Sequence, residues 1–359
     1  MNLTKHGGNR DYLARLHGLN KADLIDFSAN INPLGISSTA RRAMLESFDA
    51  ILNYPDITYY DLKISIAEYE QINEKNILLG NGGAEVIFNI VRALKPKNAL
   101  LFAPTFSEYE SALRTQDIKV KHYKLSADKG FNYDEGVLEA ITENIDIMFV
   151  CSPNNPSGNI IEPDLLKRIL DKAVQNNVVV VVDESFMDFV AEGRIVSARK
   201  HSDSYTNLIV LKSATKFFAI PGLRIGYAYT SSQNIIKLYE KISVPWCINS
   251  FASVAFMATV QDNEHLEKSR AFITEQKEKL YNDICGIKGI HAFRPTVNFI
   301  LFRIDRKMDL HAGMLKWNVL IRNCANYVNL DSTYYRVAVK SVENNTLLVK
   351  ALEDCLNKG

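Results

Sequence analysis

The chain has 359 residues, of which 47% are hydrophobic and 23% charged, enough for one large core with a smaller one beside it. Lys and Arg number 42 against 41 Asp and Glu, and a formal charge of +1 argues against electrostatic binding to nucleic acid or a membrane surface. Five scattered cysteines without a CxxC pair, short apolar runs such as 178–182, and no apolar signal core after Lys5 predict reduced thiols, no membrane span and a cytoplasmic protein.

In chain order, the first forty or so residues are rich in Gly, Asn and Pro and predict an arm or lid rather than a core element. From residue 77 onward, short apolar runs alternate with amphipathic stretches, the pattern of a parallel α/β sheet. Strands are expected at 77–79, 99–102, 119–123, 147–151, 178–182, 208–211 and 225–229. Helices are expected at 84–93, 164–175 and 233–241, where apolar positions recur at three and four residues. After Val244-Pro245 the pattern becomes one long helical stretch over 250–283, then short strands at 299–303 and 335–339 and a closing helix over 342–356. The expected organisation is an arm over 1–40 that contributes to the small domain, a large domain over 41–244 and a small α+β domain over 245–359.

The most informative motif runs from Ser213 through Lys216 to Gly222 and Arg224, directly after an apolar run. A hydroxyl, an amine and a guanidinium share one loop. An aldehyde cofactor carrying a phosphate needs that set, the amine for a Schiff base and the donors for an anchor. The motif resembles the cofactor-lysine signature of pyridoxal-phosphate enzymes of the aspartate aminotransferase fold. Gly80-Asn81-Gly82-Gly83-Ala84 follows a strand and opens a helix, so the amides of Gly83 and Ala84 can form the other half of a phosphate cup. After the next strand, Phe106, in preference to Tyr109, can lie flat on a pyridine ring. Asn154-Asn155-Pro156 ends a strand in a rigid turn that can aim Asn155 at the ring's phenolic oxygen. Asp183 closes a buried apolar strand, where a carboxylate is costly unless it meets a cation such as a protonated pyridine nitrogen.

These five motifs stand in the order of fold-type-I pyridoxal-phosphate enzymes, and the resemblance covers essentially the whole chain. It implies a large domain with a mostly parallel seven-stranded sheet, a small domain from both chain ends, and a homodimer with sites at the interface. Asn53-Tyr54-Pro55-Asp56 resembles the segment whose tyrosine reaches the cofactor phosphate of the neighbouring subunit. Closer resemblance points to histidinol-phosphate aminotransferases and to the threonine-phosphate decarboxylases of cobalamin biosynthesis. Both would grip phosphorylated amino compounds with small-domain arginines, here Arg322 and Arg336, with the two anions unassigned. His6-Gly7-Gly8-Asn9 and the segment from Asp26 through Asn30 to Gly35 resemble the decarboxylase's amino-terminal segments, whose His is near the substrate phosphate. Phe186 stands where the aminotransferases usually carry tyrosine. Taken singly, each residue has a plain structural alternative: packing for Phe106, turns for Asn155 and Tyr54, a cap for Asp183, salt bridging for the arginines, a disordered leader for His6. The expectation is decarboxylation of threonine phosphate or serine phosphate with Lys216 as the catalytic amine. An aminotransferase is the alternative, and a non-catalytic cofactor-binding protein the third reading. No metal is expected.

Overall fold

The computed structural model describes residues 7–357. Its centre is a seven-stranded sheet in the order Ile77–Gly80, Gly226–Tyr229, Leu208–Ser213, Val179–Asp183, Ile147–Cys151, Asn98–Ala103, Lys119–Lys124. Gly226–Tyr229 runs against both neighbours and every other pairing is parallel. Val180 and Val182 belong to one core cluster and Val181 to another. That alternation is what a sheet covered on both faces produces. Each such side chain withdrawn from water contributes about 1.5–3 kcal/mol.

Helices supply the cover. Gly83–Leu94 buries Val86, Ile87, Ile90 and Val91, and Pro163–Gln175 buries Leu165, Leu166, Ile169 and Leu170, both at helical spacing. Pro163 suits the first turn because it has no amide there to leave unpaired. Ser232 caps Gln233–Glu240 by accepting from the Ile235 amide. Among the described residues no helix is long and apolar enough to cross a membrane, and no group of side chains could hold a metal ion.

Two sequence expectations are corrected. The long helix over 250–283 is two helices, Ser250–Val260 and Asn263–Cys285, because Asp262 accepts from the His265 amide and starts a new one. The amino-terminal stretch is not purely an arm. Ile25–Asp26 pairs in parallel with Val319–Leu320, and the fully buried Phe27 donates its amide to Leu320 and accepts from Ala338, each at 2.8 Å. Few apolar residues mark that stretch, so its place in the core is set by partners almost 300 residues away. The remaining sheet is antiparallel, in the order Arg322–Asn323, Tyr334–Ala338, Phe299–Ile304, Ile290–Ala292, and the Val342–Asn357 helix closes the chain.

Candidate active site

Parallel strands end at one edge of the sheet, and their loops converge there on a cavity of about 540 Å³. Its lining includes Asn30, Phe106, Asn155, Lys216, Arg322 and Arg336, from all three parts of the chain.

One end of the site is built by glycines. Gly82 has φ +82°, and a Cβ there would lie 2.3 Å from Arg224 Nη2. A Cβ on Gly226 would lie 2.3 Å from the Gly83 nitrogen. Only bare backbone lets the Gly82 turn, the Gly226 strand and the Arg224 guanidinium close on the same point. Ser213 sits beside Gly83, a built Cβ on which would be 3.3 Å from Ser213 Cβ. Thr215 Oγ1 lies 2.8 Å from Ser213 Oγ, and Lys216 Nζ donates to Ser213 Oγ at 2.9 Å. The Gly83–Leu94 helix has Gly82 as N-cap with no side chain over its end, so the first-turn amides, Gly83 and Ala84 among them, face an anion site. Hydroxyls, guanidinium and helix terminus together suit a phosphate group.

Lys216 lies between this cup and the rest of the cavity. Burial pushes its amine down to about 8; the Asp183 carboxylate opposes the shift, and the Arg224 and Arg336 guanidiniums reinforce it. Such an amine is partly neutral, and so nucleophilic, near physiological pH. The Phe186 ring is buried 5.9 Å from Lys216 Nζ and offers it no hydrogen bond. Phe106 lines the cavity, whereas Tyr109 is fully buried beneath it with ring centroids 5.6 Å apart. Asp183 is buried and accepts from the Tyr109 hydroxyl at 2.6 Å and from the Ser185 amide at 2.9 Å. Burial, reinforced by the Asp183 charge, pushes the Tyr109 phenol far up, so it stays a donor.

Two arginines from the small antiparallel sheet enter from the other side, paired in register with each other. Arg336 is buried, with its guanidinium 5.2 Å from the Phe299 ring centre. It donates to Asn155 Oδ1 and to the Ser28 carbonyl (2.8 Å), its Nε has no partner, and no described carboxylate pairs with it. A buried cation without an anion is costly, and this one faces a cavity. Arg322 donates to Asn326 Oδ1 at 2.6 Å and also lines the cavity.

Residues 22–352 match the profile of the family described as aminotransferase class I and II. The chain belongs to this family. Threonine-phosphate decarboxylase of Salmonella typhimurium is 36% identical, over 98% of this chain and 96% of its own length. Among solved structures, histidinol-phosphate aminotransferase from Clostridium acetobutylicum superposes with a TM-score of 0.87 at 29% identity, covering 94% of this chain and all of that one. L-threonine-O-3-phosphate decarboxylase from Porphyromonas gingivalis gives 0.82 at 25%, covering 92% and 99%. The fold is thus that of an α/β class I/II aminotransferase, and it is shared by both kinds of relative.

In this aminotransferase-family chain Asn30, Phe106, Asn155, Lys216, Arg224, Arg322 and Arg336 line this cavity, whereas the expected Gly83, Ala84, Ser213 and Asp183 are not part of its lining. Tyr54 is 81% exposed, its ring tilted by 34° against that of Trp246 with centroids 4.9 Å apart, and does not line the cavity of its own chain. His6 lies outside the described residues. Asn30 is buried with its Oδ1 unpartnered beside the cavity, as expected of a side chain waiting for a donor. Three contributors were not read from the sequence. Thr215 sits inside the lysine motif and its hydroxyl was the missed signal. Asn32 donates its amide to Lys216 O at 3.0 Å and its side chain to Phe217 O (2.9 Å) and Ser269 Oγ (2.8 Å), holding the lysine loop. Tyr327 donates its hydroxyl to Asn155 Oδ1 at 3.1 Å, with no local signal to reveal it. The phosphate cradle that any Cβ at Gly82 would fill, the low-pKa amine and the carboxylate at Asp183 fit pyridoxal phosphate.

Proposed function

We propose that this protein is a pyridoxal-phosphate-dependent lyase that decarboxylates an O-phosphorylated amino acid. Threonine phosphate would give aminopropanol phosphate and serine phosphate would give ethanolamine phosphate, either serving cobamide biosynthesis. The observation that carries the reading is the buried Arg336, ion-paired to no described carboxylate, which lines one cavity with Lys216, with Arg322 in register beside it. Two guanidiniums suit a substrate with two anionic groups. Phe186 and the 36% identity to the Salmonella decarboxylase favour decarboxylation over amino transfer.

The cofactor, when bound, supplies an electron sink for the bond broken at the substrate's α-carbon. Gly83, Ala84, Ser213 and Arg224 would hold its phosphate, with Tyr54 of a second copy as a further donor. Phe106 would pack on its ring, Asn155 would donate to its ring oxygen, and Asp183 would hold its ring nitrogen charged. Lys216 Nζ would hold its aldehyde carbon. Arg322 and Arg336, with Asn30 and His6, orient the substrate so that the carbon–carboxylate bond breaks and carbon dioxide leaves. Lys216 Nζ then delivers a proton to the α-carbon, which balances the loss.

A homodimer and a cytoplasmic location belong to the same proposal. Phe48, Leu52, Tyr54, Ile57 and Trp246 are all exposed on the two segments around Tyr54, a patch suited to a second copy. The five free cysteines support a reducing compartment. The pairing of Ile25–Asp26 with Val319–Leu320 supports a first segment that contributes to the small domain, although the boundary at residue 40 falls inside the Ser38–Glu46 helix.

The deciding experiment is product analysis with O-phospho-threonine, O-phospho-serine, and histidinol phosphate plus 2-oxoglutarate. Carbon dioxide without glutamate is expected. Glutamate without carbon dioxide would establish an aminotransferase, and no turnover of any substrate would leave only the cofactor-binding reading.

A further inference from the structure

Asn155 has one acceptor atom, and two donors cover it: the Arg336 guanidinium and the Tyr327 hydroxyl. A guanidinium carries no acceptor, so the atom facing it must be the amide oxygen, which removes the usual ambiguity between oxygen and nitrogen. Tyr327 then has to donate as well. The amide nitrogen, with two N–H groups, has no hydrogen-bond partner among the described residues, on a side chain that lines the cavity. Phe186, on the other flank, has no hydroxyl to contribute. Arg336 has a second duty toward the substrate, whereas the Tyr327 ring is buried and backed by the Arg322 guanidinium 5.7 Å from its centre.

We propose that Tyr327 is a positioning residue. Its hydroxyl pins the Asn155 oxygen, so that the Asn155 nitrogen is presented as a donor to the cofactor's ring oxygen. The small domain thereby supplies, at one remove, the phenol that position 186 lacks. This rests on the cofactor reading above, though not on which substrate is used. A donor favours the anionic form of the oxygen it faces, so loosening Asn155 raises the pH at which that oxygen loses its proton.

The test is a pH titration of the visible absorption band of the cofactor-loaded protein, with no substrate present. In Tyr327→Phe the midpoint should rise by about 0.5–1 pH unit, the size of one hydrogen bond's influence. Adding Phe186→Tyr to that variant should bring the midpoint back toward wild type. A midpoint unchanged in Tyr327→Phe overturns the proposal. A shift that Phe186→Tyr does not reverse also overturns it, because lost packing would then be the cause. A wild-type protein with no visible band when cofactor is added would instead remove the cofactor reading itself, which separates the two failures.

Discussion

Lys212 and Lys216 are four residues apart on one strand and its loop, and the chain treats them in opposite ways. Lys212 belongs to a cleft of about 680 Å³, larger than the active-site cavity. Its amine lies 3.3 Å from Asp188 and 3.6 Å from Glu70. Burial alone would lower its pKa, but Asp188, Glu70 and Glu184 overcome that and push it far up. The carboxylates are in turn held by Tyr69 (2.9 Å to Asp188) and Tyr227 (2.5 Å to Glu70). The Lys216 amine is hydrogen-bonded, among the described residues, only to the Ser213 hydroxyl, feels two arginines and is pushed down. Size does not mark the reactive site. The larger cleft holds a lysine whose charge is neutralised by partners, and the smaller cavity holds one whose charge is made unstable. Asn30 Oδ1 and Arg336 Nε are both left open beside the smaller cavity, although unpartnered atoms are not confined to it: the Tyr229 hydroxyl, also without a partner, feels the Glu70, Glu184 and Asp188 charges around Lys212.

Breaking the comparison at its reactive end should have the largest effect. Lys216→Ala is expected to lose activity by on the order of 10⁴-fold and to abolish the visible band of the loaded protein, while folding normally. An unchanged spectrum would move the chemistry elsewhere. Lys212→Met tests the other end. It leaves buried carboxylates uncompensated and should cost about 3–5 kcal/mol in a denaturant melt. The fraction that stays folded should keep its visible band, and a variant as stable as wild type would show that the Lys212 cluster is not structural.

Arg336→Ala removes the unpaired cation and should lower kcat/KM about 100-fold, through charge-assisted bonds of about 1.5–3 kcal/mol. A wild-type KM and kcat would assign the substrate anion to Arg322 alone. The lysine comparison also carries a pH signature. Folded Lys216 gives up its proton near 8, whereas unfolded it does so near 10.5. Between those values the unfolded chain binds more protons, so stability of the cofactor-free protein should rise with pH. The slope should be up to about 1.4 kcal/mol per unit relative to Lys216→Met. Parallel stability curves for the two proteins across that window would mean that the amine is not perturbed. Gly82→Ala sharpens the anchor end. Its Cβ meets Arg224 at 2.3 Å at a left-handed φ, and cofactor binding should weaken about tenfold in an equilibrium titration. Unchanged affinity would show that Arg224 can withdraw from the cup without loss.

Much of this was legible in the chain. The seven central strands, the glycine turn, Asn155, Asp183 and the lysine loop each carry a local signal, because a buried parallel strand must be apolar and its exit loop must be polar or small. The expected strand over 178–182 is Val179–Asp183 in the fold and takes in Asp183 itself. The break at Asp262 went unread because helical periodicity continues through a cap that only a hydrogen bond reveals. Asn32, Tyr327 and the buried Phe27 lacked any such mark.

The sequence by itself determined the α/β class, the order of the motifs and the residue types for phosphate, amine and carboxylate chemistry, since each depends on neighbours within a few positions. Only the tertiary structure decided which lysine has a destabilised charge, that Arg336 is buried without a carboxylate, and that Tyr327 reaches Asn155 from 172 positions away. Those properties are set by burial and by the charges that long-range packing brings near. No local pattern of residues encodes them.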